Sequence, residues 1–209
     1  LRRCMFTFAN KIQWGGSREI YIETLRMKAV QSRLEKAAAE LCKSLPNELI
    51  HIPSAYRINY IYNQIKHKSP NMTRVYLTLD CKRWAPLSNN NKYVDLVNGY
   101  QSLLPAGFVN EFNSYFDLYN KKVLLVKKEV HDYYVARHPD DNWLFVEQQD
   151  ESGVHYEIKM PESFMMGMFN YLSSYVHALS QRYFIDVILP HLSLYFRTEI
   201  KMVMFAHSE

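Results

Sequence analysis

The chain has 209 residues, 48% of them hydrophobic and 14% aromatic, and a formal net charge of +4 at pH 7, which is enough apolar content for a real core and excludes a disordered chain. Its longest apolar runs, such as Val123 to Val126 and Met202 to Ala206, are too short to cross a bilayer, and Leu1-Arg2-Arg3-Cys4 has no signal-peptide character. Three cysteines (Cys4, Cys42, Cys81), far apart and without a Cys-x-x-Cys pair, argue against a disulfide framework or a zinc site and for a soluble protein in a reducing compartment.

Phe6 to Ile22 mixes aromatic and β-branched residues around Gln13-Trp14-Gly15-Gly16-Ser17, the pattern of a strand, a tight loop and a second strand. From Thr24 the period becomes helical, with Val30, Leu34, Ala37, Ala38 and Leu41 on one face, until Ser44-Leu45-Pro46-Asn47. A second helix is predicted over Ile58 to Ile65, closed by Ser69-Pro70-Asn71, and Val75 to Leu79 reads as a short buried strand running into Asp80. Asn89-Asn90-Asn91 introduces a helix with Tyr93, Leu96, Val97, Tyr100 and Leu103 on its apolar face. Pro105-Ala106-Gly107 opens another, carrying Phe108, Phe112, Phe116 and Tyr119 as core. Leu144 to Gln149 and Val154 to Met160 flank Asp150-Glu151-Ser152-Gly153 as a hairpin. A long helix is expected from Met168 to Leu189, stopping before Pro190, and Ile200 to Phe205 as a strand leading to His207, Ser208 and Glu209.

Two predicted strands thus deliver carboxylates, Asp80 and Glu209. Acids at adjacent strand ends are what a pair of oxygen-seeking divalent cations needs, although either acid alone reads equally well as a turn or capping residue. Gly15 and Gly16 permit a tight turn beside Arg18, whose planar fork suits a triphosphate; a plain hairpin turn with Arg18 on the surface fits the same residues. Gly167 before a helix start permits a flexing loop, with Asn170 and Ser173 offering groups to a ribose hydroxyl, or simply small residues packed inside a helix. Lysine and arginine cluster at Lys66-His67-Lys68, Lys82-Arg83, Lys121-Lys122 and Lys127-Lys128, which permits phosphate binding and equally describes solvated helix ends. No Gly-x-Ser-x-Gly, Walker or His-x-x-x-His pattern occurs, so hydrolase, P-loop and zinc readings find no support.

In order, these segments resemble the polymerase motifs of the bunyavirus-type L protein, the RNA-dependent RNA polymerase of segmented negative-strand RNA viruses. Gly15-Gly16-Ser17-Arg18-Glu19-Ile20 resembles the fingertip motif, and Lys28 a lysine downstream of it. Asp80-Cys81-Lys82-Arg83-Trp84 resembles motif A, with Arg83 where lysine is usual. Met166-Gly167 followed by Asn170-Tyr171-Leu172-Ser173-Ser174 resembles motif B, with Met166 in the glutamine position, and His207-Ser208-Glu209 resembles the approach to motif C, with glutamate in place of the first aspartate.

The resemblance implies an α+β fold: a right-hand polymerase palm, an antiparallel sheet backed by helices, incomplete here, with helical fingers elements. It places the fingers and fingertip region at 1–74 and the palm, with inserted fingers elements, at 75–209. It implies nucleotidyl transfer with Asp80 and Glu209 as catalytic metal ligands for Mg2+ or Mn2+, and Arg18, Lys28 and Arg83 on the NTP phosphates. Gly167, Asn170 and Ser173 would meet the ribose and template. The implied partners are RNA template and product, NTPs, the rest of the L protein and the viral nucleoprotein, in the host cell cytoplasm and the virion. The endonuclease, thumb and later motifs lie outside this chain, so the expected piece is a partial catalytic core, inactive alone. Two other readings remain at this point: a polymerase-derived RNA-binding or assembly module without catalysis, and a helical interaction protein that docks a partner through its Tyr and Phe stripes.

Overall fold

The predicted first hairpin is present. β1 (Met5–Gln13) and β2 (Gly16–Glu23) pair antiparallel from Phe6↔Glu23 to Gln13↔Gly16. The structure, a computed structural model, describes residues 3–13, 16–66, 72–79, 88–151, 153–165 and 168–207. The chain is an α+β protein that divides into two compact units, Leu1–Arg33 with Arg83–Met168 and Leu34–Lys82 with Phe169–Glu209.

The first unit is built on a five-stranded sheet in the order β2-β1-β3-β5-β4, where β3 is Val123–Lys127, β4 Phe145–Asp150 and β5 Gly153–Lys159. The sheet expected to be antiparallel is mixed, because β1 and β3 run parallel through Met5↔Val123 and Phe6↔Leu124. The β4–β5 hairpin forms where its turn signal lies, closing at Asp150↔Gly153, and Gly153 sits at φ +115, a backbone angle that favours glycine. Helices α3 (Asn91–Gly99) and α4 (Ala106–Tyr119) supply an aromatic core. Tyr93, Phe112, Tyr115, Phe116 and Tyr119 are all buried, with Tyr93 stacked on Phe164 at 4.5 Å and Phe112 on Phe116 at 4.6 Å. Each such pair adds about 0.5–1.5 kcal/mol beyond the area it buries. Tyr100 and Leu103, assigned to the apolar face of α3, lie past its end and are exposed, since the helical period that would carry them inward has already stopped. Helix α5 (Lys128–Val135) follows β3 and buries His131 flat against Tyr156 at 3.5 Å.

Helix α1 (Leu25–Cys42) begins and ends where its periodicity predicts. Its buried stripe is Met27, Gln31, Leu34, Ala38 and Cys42, one step round from the predicted face, and Leu41 is exposed. Ala37 and Leu41 look more apolar than Gln31 in sequence, but the spacing of Met27, Leu34 and Cys42 decides the face. In the second unit, α2 (Ser54–Ile65) starts four residues before the predicted Ile58, directly behind Pro53. A proline fixes its own φ and donates no N–H, so it suits the position just ahead of a helix.

Two predicted strands do not form. Residues 72–79 have no ladder partner among the described residues, and Val75, Leu77 and Leu79 are 83%, 77% and 75% exposed. The Ile200 to Phe205 stretch makes no strand either; it ends in one parallel bridge, Glu48↔Ala206, held by Leu49 N–H to Ala206 O at 2.9 Å and Ala206 N–H to Asn47 O at 2.8 Å. β-branched and aliphatic content favours extended backbone, but a strand exists only where a neighbour takes its N–H and C=O groups.

The long helix also departs from expectation. α6 (Asn170–Tyr183) passes through a π-helical turn at Phe184–Ile188 into α7 (Leu189–Phe196), so Pro190 lies inside the helical run. A proline cannot donate to residue i−4 and its ring crowds that carbonyl, whereas the wider turn just ahead shifts the ladder and lets the helix continue. The run stops at Arg197, in the left-handed region at φ 50.

Candidate functional site

The start of α6 belongs to the segment that resembles motif B in sequence. Asn170 is its first residue and is half-buried; Ser173, on the same face one turn later, is 3% exposed. Phe169 precedes them in the left-handed conformation, φ 54 and ψ 39, a strained backbone for a bulky side chain, and it is buried. The free backbone donors of this first turn are taken in part by side chains from elsewhere in the unit. Tyr171 N–H donates to Glu35 Oε2 at 3.2 Å, while Cys42 Sγ–H donates to Tyr171 O at 3.3 Å. Burial, with Glu48 and Glu35 nearby, pushes the Cys42 thiol up to about 12, so it is a packed, unreactive sulfur.

Below that turn lies a buried polar network. Ser174 Oγ–H donates to Glu48 Oε1 at 2.5 Å, and Glu48 has no exposed surface. The same carboxylate accepts the Ile50 N–H at 2.8 Å and faces His51 Nδ1 at 2.9 Å. Asn47 Nδ2–H donates to Ala178 O at 3.0 Å and to Gln181 Oε1 at 3.1 Å, and Gln181 Nε2–H donates to Phe205 O at 3.0 Å. Serine, glutamate and histidine occur together here, but the carboxylate sits between the other two. The serine proton therefore points at the acid and not at the imidazole, and a hydrolase relay is ruled out for this trio. The network ties α6 to the 47–51 loop and to the segment that leads to His207.

In the first unit, ionisable groups collect around the end of α4. Tyr115 Oη–H donates to Glu23 Oε2 at 3.2 Å, and Glu23 Oε1 is buried without a hydrogen-bond partner. Burial raises the Glu23 carboxyl to about 7, against the opposing pull of the Tyr115 hydrogen bond and the Lys28 charge. Lys122, fully buried, donates from Nζ to Pro161 O at 2.6 Å and lies 4.4 Å from the Tyr119 ring centre. Burial lowers its ammonium to about 8 and raises the Cys4 thiol to about 12.

Of the residues assigned from sequence, Arg18 lies on β2, its backbone paired with Lys11, and Lys28 is exposed in the first turn of α1. Asn170 and Ser173 share the first turns of α6. Asp80, Arg83, Gly167 and Glu209 lie outside the described residues. No group of three or more His, Cys, Asp or Glu among the described residues is placed to hold a metal ion. No described helix is long and apolar enough to cross a membrane. Sequence reasoning missed Glu48, Asn47 and Lys122. Nothing local marks them as buried, since Asn47-Glu48 after Pro46 reads as a surface turn and Lys121-Lys122 as a solvated pair.

No family model matches the chain. It is similar to the RNA-directed RNA polymerase L of Bunyamwera virus, 23% identical over 206 residues, a match covering 90% of this chain and 9% of that protein. The chain therefore spans less than a tenth of the length of the relative it matches.

Proposed function

We propose that this chain, similar over most of its length to a bunyavirus L protein, is a fingers and palm segment of an RNA-dependent RNA polymerase that copies viral genomes and transcripts. One observation carries the reading: four motif-like segments stand in polymerase order within a chain that aligns almost end to end with an L protein. The α+β fold, with a hairpin at the fingertip-like segment and a helix opening at the motif B-like segment, is compatible with it. In this reading 1–74 belongs to the fingers and 75–209 to the palm with inserted fingers elements.

Asp80 and Glu209 would hold the divalent cations, Mg2+ or Mn2+. Carboxylate oxygens are the donor type these hard ions take, and glutamate reaches one methylene further than aspartate. When bound, such a metal pair supplies charge stabilisation to phosphoryl transfer. Arg18, Lys28 and Arg83 would neutralise the triphosphate, an electrostatic contribution from groups set in place beforehand. Gly167 would leave room for the template base pair, and Asn170 and Ser173 would meet the ribose. RNA, NTPs, the remainder of the L protein and the nucleoprotein are the partners this function requires, in the host cytoplasm and the virion.

The test is Asp80→Ala in the full-length protein carrying this segment. Synthesis should be abolished with RNA binding retained; persistence of template-dependent synthesis would overturn the proposal.

A second reading has its own observation. Met166 and Glu209 depart from the motif pattern, as an RNA-binding or assembly module relieved of catalysis would allow. It requires salt-sensitive RNA affinity and no metal-dependent NTP binding.

A further inference from the structure

We infer that Glu35 is a positioning residue that caps α6 from a distance and so sets the first turn in which Asn170 and Ser173 stand. The cap position of α6 is Phe169, whose hydrocarbon ring offers no acceptor and makes no capping hydrogen bond. The donor that an ordinary cap residue would take is the Tyr171 N–H, two places into the helix. It goes instead to Glu35 Oε2 at 3.2 Å, from a residue 136 positions away in sequence.

Helix α1 is placed to do this. Glu35, Ala38 and Cys42 recur at steps of three and four along it and so share one face, on which Ala38 and Cys42 are buried and Glu35 is half-buried. Cys42, two turns beyond Glu35, donates from Sγ to Tyr171 O at 3.3 Å, so both backbone polar groups of Tyr171 meet α1. A carboxylate also suits the partial positive charge at the start of a helix. Ser173 belongs to the same turn, since its N–H donates to Phe169 O at 2.8 Å, and Ser174 beside it is held by Glu48.

The consequence for activity rests on the polymerase reading, in which Asn170 and Ser173 meet the ribose. Recognising one hydroxyl requires partner groups held to within about 0.5 Å of the productive geometry. The turn begins at Phe169, whose φ of 54 is strained for a bulky side chain and persists only with support from its surroundings. Glu35 supplies part of that support without touching the substrate. Its loss loosens the turn and blunts the distinction between a ribose and a 2′-deoxyribose.

The test is Glu35→Ala, which removes the acceptor, beside Glu35→Gln, which keeps an amide oxygen at the same reach. In the 209-residue chain, hydrogen exchange of the Tyr171 amide should speed up on the order of tenfold in Glu35→Ala and less in Glu35→Gln, while exchange in β3 and β5 stays unchanged. In the full-length polymerase, the ratio of kcat/KM for an NTP to that for its 2′-deoxy counterpart should fall about fivefold in Glu35→Ala and recover in part in Glu35→Gln. A plain loss of folded protein would lower both kcat/KM values together and leave their ratio intact. Unchanged exchange at Tyr171, or an unmoved ratio, would overturn the inference. The Asp80→Ala control separates the two claims: synthesis persisting there sinks the polymerase reading, and exchange at Tyr171 alone then decides whether Glu35 caps α6.

Discussion

Ser174 and Glu48, 126 positions apart in sequence, share a 2.5 Å hydrogen bond in which neither side chain has exposed surface. The fully buried Glu48 carboxylate would keep the Ile50 N–H but lose its charge-assisted bond from Ser174, so Ser174→Ala should lower stability by about 1–3 kcal/mol. Urea unfolding of the 209-residue chain should show a lower midpoint at constant slope; an unmoved midpoint would contradict the structural role given to this bond.

Stability should also depend on pH through Glu23. Its carboxyl titrates near 7 in the folded protein against the ordinary 4.5, so the native state holds a proton that the unfolded chain has released. This contribution is fully present below about 4.5 and is lost as pH rises through about 7. Glu23→Gln, which stays neutral, should flatten the thermal stability curve across that window. An equally steep decline in the variant would remove Glu23 as its source.

Arg18 offers a test of phosphate recognition. In the full-length protein, Arg18→Ala should raise KM for NTP on the order of tenfold while RNA affinity changes little, and Arg18→Lys should recover part of the loss, since it restores charge but not the planar fork. A loss of RNA affinity equal to the rise in KM would place Arg18 on the nucleic acid backbone instead.

The isolated 209-residue chain should incorporate no labelled nucleotide on a primed template, with Mg2+ or Mn2+ alike. Template-dependent incorporation above background would show that this segment carries a complete catalytic set.

Where elements depend on local pattern, they were legible in the sequence. The β4–β5 hairpin follows from strand-like residues around Asp150 to Gly153, α4 from its aromatic period, and α1 from its helical spacing. Elements that depend on a distant partner were not. Val75 to Leu79 and Ile200 to Phe205 carry strand composition, yet neither stretch has a strand partner along it among the described residues. The parallel β1–β3 pairing was equally hidden, because period-two alternation specifies a face and not a partner. For the candidate site, the serines of α6 were visible as a motif, but the burial of Ser174 against Glu48 is a property of the folded unit alone.

The π-helical turn at Phe184–Ile188 makes the identity of every face downstream a matter of counting. Each residue of an α-helix advances the side-chain direction by about 100°, so a one-residue insertion accommodated as a π turn rotates whatever follows by that angle. Leu194, Tyr195 and Phe196, which α7 shows to water, owe that outlook to the turn ahead of them as much as to their own chemistry. A single deletion between 184 and 188 would restore the plain α register and turn that aromatic end toward a different side. This stretch of chain is a dial: a change in length by one residue reorients a whole surface while leaving its composition untouched.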